Sequence, residues 1–274
     1  MQTDLLEPHI HPTAVVDPEA SLAPGVTVGP YVVIGAKVTI GPNCRIGPHA
    51  VLQGRLTMGR DNRVFPGACL GLAPQDLKYQ GSDTEVRIGN GNTFREYVTV
   101  NSATEEGQTT QVGDDNLVMA YCHIAHNCTL GNRVVMSNAV QVAGHVSIHD
   151  SAVIGGVLGI HQFVQIGALA MVGGMSRVDR DIPPYCMVEG HPARVRGLNK
   201  VGLQRSGLDS IHGAACLQEL QDVWKLFYRS KMTMAQALEQ VRNRPCHGPA
   251  ATVLRFLEDS LAPGRRGPLP ATRG

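Results

Sequence analysis

The chain has 274 residues, enough for one large domain or two, and its 24 Lys and Arg against 23 Asp and Glu give a formal net charge of +1. That balance offers no global argument for a nucleic-acid partner, and no apolar run reaches bilayer-spanning length, so stable membrane insertion is not expected. Aromatics are only 4% while Gly numbers 31, a composition that suits a thin aliphatic core with many turns. The seven cysteines include no CxxC pair, and Met-Gln-Thr-Asp at the start carries no basic-then-apolar leader. Both features read as a soluble cytoplasmic protein with reduced thiols.

From Ile10 an apolar residue recurs at every sixth position through Val16, Leu22, Val28, Ile34 and on to Leu70. The series resumes at Ile88, Phe94 and Val100, then runs from Val112 to Val178, broken only at Asp76, Ser82 and Glu106. Neither a helix nor an alternating strand sustains a period of six. A short strand followed by a sharp bend does, with the aliphatic side chain pointing into a narrow prism and the Gly that often follows it letting the chain turn. Three hexads make one triangular coil, so eighteen residues separate stacked positions and the fold is a hexapeptide-repeat parallel β-helix. The failures fall in polar stretches, residues 74–82 and 103–107. They read as loops expelled from a rigid scaffold, a common setting for function.

The ladder fades after Val178, and Pro183-Pro184 marks its end. A boundary near 190 divides a β-helix (1–190) from a small α-helical domain (191–274). Leu208, Ile211, Ala215, Leu220, Val223, Trp224 and Phe227 form a helical stripe. Thr233 to Gln236 reads as a capping box opening a second helix through Val241, and a third helix spans roughly 250–261. The Pro/Gly/Arg-rich tail from Ala262 is expected to be disordered.

Histidines are the best chemical candidates. His123 and His126 flank rung Ile124, His145 follows Val142, and His161 follows Ile160. Those rungs are eighteen apart, so the rings occupy one side of consecutive coils. Such a stack could supply a general base or hold zinc with one position open. Cys122 and Cys128 adjoin His123 and His126, but neighbours on a strand face opposite sides, which argues against a nucleophilic cysteine.

The run Asp115-Asn-Leu-Val-Met-Ala-Tyr-Cys-His-Ile-Ala-His126-Asn-Cys resembles the catalytic segment of the UDP-N-acetylglucosamine O-acyltransferases, the enzymes opening lipid A synthesis. So do Gln75-Asp-Leu-Lys-Tyr79, Ala143-Gly-His-Val146, Gly159-Ile-His-Gln-Phe163, Asp181-Ile-Pro-Pro-Tyr185 and Asn199-Lys-Val-Gly-Leu-Gln-Arg205, in matching order along the chain. The resemblance implies a left-handed coil, against the usual crossover rule, and a homotrimer with active sites between subunits. It implies transfer of an R-3-hydroxyacyl group from acyl carrier protein to the sugar 3-hydroxyl, with His126 as base and the Gly144 N–H as oxyanion hole. Asp76, Lys78, His123 and Gln162 would hold the sugar. His145 and His161 would line the cleft against nucleotide or phosphopantetheine, Asn199 and Arg205 would contact substrate, and Gly174 would leave room for a longer acyl chain. No metal and no cofactor are implied beyond the carrier-bound thioester. Arg194, Arg196, Lys200 and Arg205, with no acid among them, suit an acidic carrier.

Two departures stand out. Asn127 follows the catalytic His where the family pattern has Asp, so replacing it by Asp is expected to move the acidic limb of the pH profile. Arg205 is followed by Ser206 where a second arginine is often seen. Of the competing readings, the pathway's N-acyltransferase carries a domain before its β-helix, whereas here the hexads begin by Ile10. A zinc-dependent enzyme of the carbonic anhydrase type leaves the sugar-loop residues idle, and a purely structural solenoid leaves the histidines unexplained.

Overall fold

The computed structural model describes residues 7–271. The hexads wind into three sheets of eleven, nine and eight short strands, each turn of the coil adding one strand to each sheet. Within the regular coils neighbouring strands are parallel and eighteen residues apart: Val135 pairs with Val153, and Val153 with Met171. Every rung from Val28 to Val178 outside the three failures is buried, each contributing about 1.5–3 kcal/mol of apolar transfer. Ile10, Val16 and Leu22 are more open because the first coil is covered from one side only.

The failures are insertions that keep the ladder in phase. Residues 73–84 leave the coil between strands Cys69–Leu72 and Glu85–Ile88, and residues 102–108 leave it between Thr99–Asn101 and Thr109–Val112. Arg55 therefore pairs with Glu85, and Thr99 with His123, surpluses of two hexads and one over the regular step. Both loops leave at the corner between the second and third sheets. They are tied to each other, since the Asp83 N–H donates to Glu106 Oε2 at 2.7 Å and the Gly107 N–H to the Asp83 carbonyl at 3.0 Å.

The glycines after the rungs act differently from expectation. The left-handed turn residue lies two positions further on and is often not Gly: Tyr31, His49, Asn127, His145 and Phe163 all have positive φ. Gly41 and Gly47 are required by stacking instead, because a Cβ there would lie 2.6 Å from the Gly59 backbone and 2.8 Å from the Val64 carbonyl. Inside the prism, Asn62, Asn92 and Asn116 form a buried amide ladder. Each Oδ1 accepts the backbone N–H of the coil above, at 2.9 Å from Asn92, 2.9 Å from Asn116 and 2.7 Å from Val134.

The coil ends in an antiparallel hairpin, Cys186–Glu189 with Arg194–Leu198, which straddles residue 190. Helices α1 (Lys200–Arg205), α2 (Leu208–Tyr228), α3 (Met234–Arg242) and α4 (Gly248–Ser260) follow, with α2 kinked at Gly213 and α3 opened by the Thr233/Gln236 capping box. The tail departs from the expected disorder through residue 271. Pro268 bridges Asp181, Ala271 bridges Val195, and Leu269 is fully buried. A composition rich in Pro and Gly left out the coil surface to which this segment binds; residues 272–274 of the expected tail lie outside the described residues. No helix among the described residues is long and apolar enough to cross a membrane.

Candidate active site

The corner that releases both loops recurs in the coils above. It stacks His126, Gly144 and Gln162, with Asn127, His145 and Phe163 one residue further along. A cavity of about 760 Å³ opens here, bringing together Asp76, Lys78, His123, His126, Gly144, His161 and Gln162. His145 borders it, its ring meeting His126 edge-on at 5.1 Å and stacking on Phe163 at 4.7 Å.

The surroundings of Asn127 fix the tautomer of His126. The Thr104 N–H donates to Asn127 Oδ1 at 3.1 Å, while Asn127 Nδ2 donates to Gln108 and, at 3.4 Å, to Glu105 Oε2. Oδ1 is thereby the acceptor facing His126 Nδ1 at 2.9 Å. The His126 proton sits on Nδ1, which leaves the Nε2 lone pair for the cavity. There Asp76 Oδ2 lies 3.6 Å away, beyond hydrogen-bond range. Asp76 is held by an Asx turn, its other oxygen accepting the Lys78 N–H at 3.0 Å.

Gly144 combines two properties. A Cβ on it would stand 2.4 Å from His126 Cε1 and 2.5 Å from Nε2, so only Gly lets the backbone lie against that ring. Its N–H meets no acceptor among the described residues. The reason is positional: this hexad site carries Pro in earlier coils (Pro30, Pro42, Pro48, Pro66) because the ladder does not use its N–H. At the corner between the third and first sheets, Asn and Asp side chains take up the same N–H, as Asp150 does for Asn132 at 2.8 Å. At the His126 corner no side chain does.

Burial, helped by His126, holds the His123 imidazole below its usual value, and Thr99 Oγ1 contacts its Nδ1 at 2.7 Å. Burial likewise lowers His145, with His126 adding to the effect. Burial raises the Cys122 thiol and pushes Cys128 up to about 12, which disfavours the nucleophilic thiolate. Among the described residues no three His, Cys, Asp or Glu side chains are grouped to hold a metal ion.

Three expected site residues lie elsewhere. Gly174 sits at the corner between the first and second sheets, its Cβ position 3.2 Å from the Gly156 carbonyl. Asn199 caps α1, its Oδ1 accepting from the Gly202 N–H at 3.0 Å and its Nδ2 donating to the Leu169 carbonyl at 2.9 Å. Arg205 shares a second cavity, of about 740 Å³, with Met171, Met187, Lys200 and Trp224. The sequence did not single out Thr104, Glu105 and Gln108; the break at Glu106 marked their loop but could not show which of its polar groups bond Asn127.

The UDP N-acetylglucosamine O-acyltransferase domain 2 family profile matches residues 181–268, and bacterial transferase hexapeptide repeats match 7–42, 23–54 and 109–144. The acyl-[acyl-carrier-protein]–UDP-N-acetylglucosamine O-acyltransferase of Synechocystis is 52% identical over 98% of this chain and 96% of its own length. That of Verminephrobacter eiseniae is 51% identical over 94% and 98%. The chain belongs to the UDP-N-acetylglucosamine O-acyltransferase family. Among solved structures, LpxA from Acinetobacter baumannii superposes with a TM-score of 0.88 at 38% identity, covering 95% of this chain and 99% of that one. LpxA from Bacteroides fragilis gives 0.87 at 32%, covering 96% and 100%. As in any member of this acyltransferase family, the chemistry to be explained is transfer of an acyl group to oxygen.

Proposed function

We propose that this O-acyltransferase moves an R-3-hydroxyacyl group from acyl carrier protein to the 3-hydroxyl of UDP-N-acetylglucosamine, opening lipid A synthesis in the cytoplasm. The observation that carries the reading is the His126 ring packed against Gly144, with Nδ1 engaged by Asn127, Nε2 left for the cavity and the Gly144 N–H unpaired among the described residues. His126 takes the hydroxyl proton as the oxygen attacks the thioester carbon, and the Gly144 N–H receives the negative charge forming on the carbonyl oxygen. Collapse breaks the C–S bond, and the departing thiolate recovers the proton from His126. Asp76, Lys78, His123 and Gln162 orient the sugar, and His145 and His161 wall the cleft.

The acyl chain has a bare strip to cross. Gly159 lies on the exposed face of the second sheet, where a Cβ would meet nothing within 4 Å, and Gly156 and Gly174 continue it to the far corner. Leu77 is fully exposed at the tip of the first loop, and Gly174, Asn199 and Arg205 lie away from His126 within one chain. A homotrimer would bring these parts together between subunits, and sedimentation as a monomer at micromolar concentration would count against it. The second cavity, apolar at Met171, Met187 and Trp224 and ringed by Arg196, Lys200, Arg205, Lys225 and Arg229, suits an acidic carrier. Neutralising two of those charges should raise the donor KM and flatten its salt dependence.

The test is product analysis by mass spectrometry with UDP-N-acetylglucosamine and R-3-hydroxyacyl carrier proteins of graded length. Wild type should yield a sugar ester, reduced roughly 10²-fold or more in His126→Ala. Failure with every donor would refute the assignment.

A further inference from the structure

The tail brings a cationic pair to the edge of the cleft. After α4 the chain turns through left-handed Gly264 and Gly267 and is latched by Arg265, whose Nη2 reaches Asp181 Oδ2 at 2.9 Å and donates to the Phe163 carbonyl at 3.2 Å. Asp181 is only 3% exposed and also accepts from the Ser260 hydroxyl at 2.7 Å and the Gln165 N–H at 2.8 Å. A carboxylate so buried and so fully bonded fixes the segment it holds.

The next residue reaches the site. Arg266 Nη2 lies 3.3 Å from His161 Nε2, and Arg180 donates to the Arg266 carbonyl. His161 Nδ1 is 3.0 Å from the Gln162 carbonyl. A carbonyl only accepts and a guanidinium only donates, so His161 is the neutral tautomer with its proton on Nδ1. It anchors Arg266. His161 lines both the main cleft and an adjoining pocket of about 230 Å³ bounded by Arg180, Arg265 and Arg266. Arg265 is neutralised by Asp181, whereas Arg180 and Arg266 pair with no carboxylate among the described residues. Both arginines line that one pocket, and an anion bound there would pair with guanidiniums that no carboxylate answers.

We propose that Arg180 and Arg266 clamp a phosphate group of one of the two substrates, placed two to three coil rises, ~10–15 Å along the axis, from His126. The ligand chemistry is a phosphate ester, with two sources: the nucleotide diphosphate or the phosphodiester of the carrier's pantetheine arm. The proposal rests on the acyl-transfer reading for its substrates, so the first measurement needs no turnover. UDP and 4′-phosphopantetheine are titrated calorimetrically into the full-length protein, its Arg180→Ala/Arg266→Ala double variant, and Arg244→Ala as a remote charge control. One of the two ligands should bind about tenfold more weakly to the double variant and unchanged to the control, with Arg266→Lys intermediate because it keeps charge and loses the fork.

Kinetics with acyl-phosphopantetheine and phosphate-free acyl-pantetheine then separate the sources. A donor clamp raises KM about tenfold for the first donor and leaves the second unmoved. A nucleotide clamp raises the UDP-sugar KM instead. Equal affinity of both ligands for wild type and double variant overturns the clamp, and the guanidiniums are then a solvated patch. Tight binding of either ligand without any ester product would instead sink the acyl-transfer reading and leave the clamp standing.

Discussion

Gly144→Ala separates catalysis from folding at one atom. The new Cβ would stand 2.4 Å from His126 Cε1, so ring or backbone must give way by about 1 Å to reach ordinary contact. The ring has little freedom: Asn127 holds Nδ1 at 2.9 Å, and His145 meets it edge-on at 5.1 Å. Gly144 is not among the positive-φ residues, so Ala suits the backbone and the coil should persist. Displacing a reacting group by 1 Å costs on the order of 10²-fold, and tilting the Gly144 N–H away from the oxyanion adds about 10²-fold at most. The expected outcome is kcat/KM lower by about 10²–10⁴, circular dichroism unchanged and the sugar KM within a few-fold. Initial rates by ester formation, beside a thermal melt, measure both. Activity within threefold of wild type would show that neither the His126 position nor the Gly144 N–H matters to the reaction.

Other perturbations test the surroundings. Asn127→Asp places a carboxylate against Nδ1 and favours the imidazolium, so the acidic limb of the pH–kcat/KM profile should move to higher pH; an unmoved limb dismisses a tuning role. Asn92→Ala removes the middle of the amide ladder and strands the Asn116 N–H and amide, both 2.9 Å from the lost oxygen. The expected loss is about 2–3 kcal/mol, read as a lower urea midpoint, and no shift would show the ladder to be dispensable. His123 is held below its usual value by burial. Its folded ring stays neutral where the unfolded ring, titrating near ~6.5, takes a proton. The stability this supplies is complete above that pH and is lost as pH falls toward the folded value. His123→Gln should therefore lose less melting temperature than wild type between pH 7 and pH 5; parallel curves would refute the assignment.

The rungs were legible in the sequence because an apolar residue every sixth position can only be satisfied by burying one side chain per strand. Rungs Ile124, Val142 and Ile160 placed the histidines on one side of the coil, and the structure gathers His123, His126 and His161 into one cavity. Two features escaped. The glycine after the rung suggests the turn, whereas the turn needs a left-handed residue two places later, a conformation that Asn127 and His145 adopt without advertising it. The tail's composition predicts disorder because composition reports what a segment lacks. Its order comes from Asp181, some eighty residues earlier, whose buried carboxylate binds Arg265.

Asn127 shows how the loops enter the chemistry. With Asp at this position, charge would sit directly on His126. Here the amide passes the contact outward, accepting from His126 through Oδ1 and donating through Nδ2 to Gln108 and Glu105. The negative group thus stands one residue further from the ring and belongs to the second loop. That loop is tied to the first through Asp83 and Glu106, and the first loop carries Asp76 to 3.6 Å from Nε2. Insertions that leave the coil in whole hexads thus approach His126 from both sides, one through Asn127 and the other through Asp76, while the scaffold beneath stays regular. An Asp at 127 would confront Glu105 with a second carboxylate. Adding Glu105→Gln to Asn127→Asp should recover stability that the single variant loses at neutral pH, and that recovery should vanish in acid, where Glu105 is protonated.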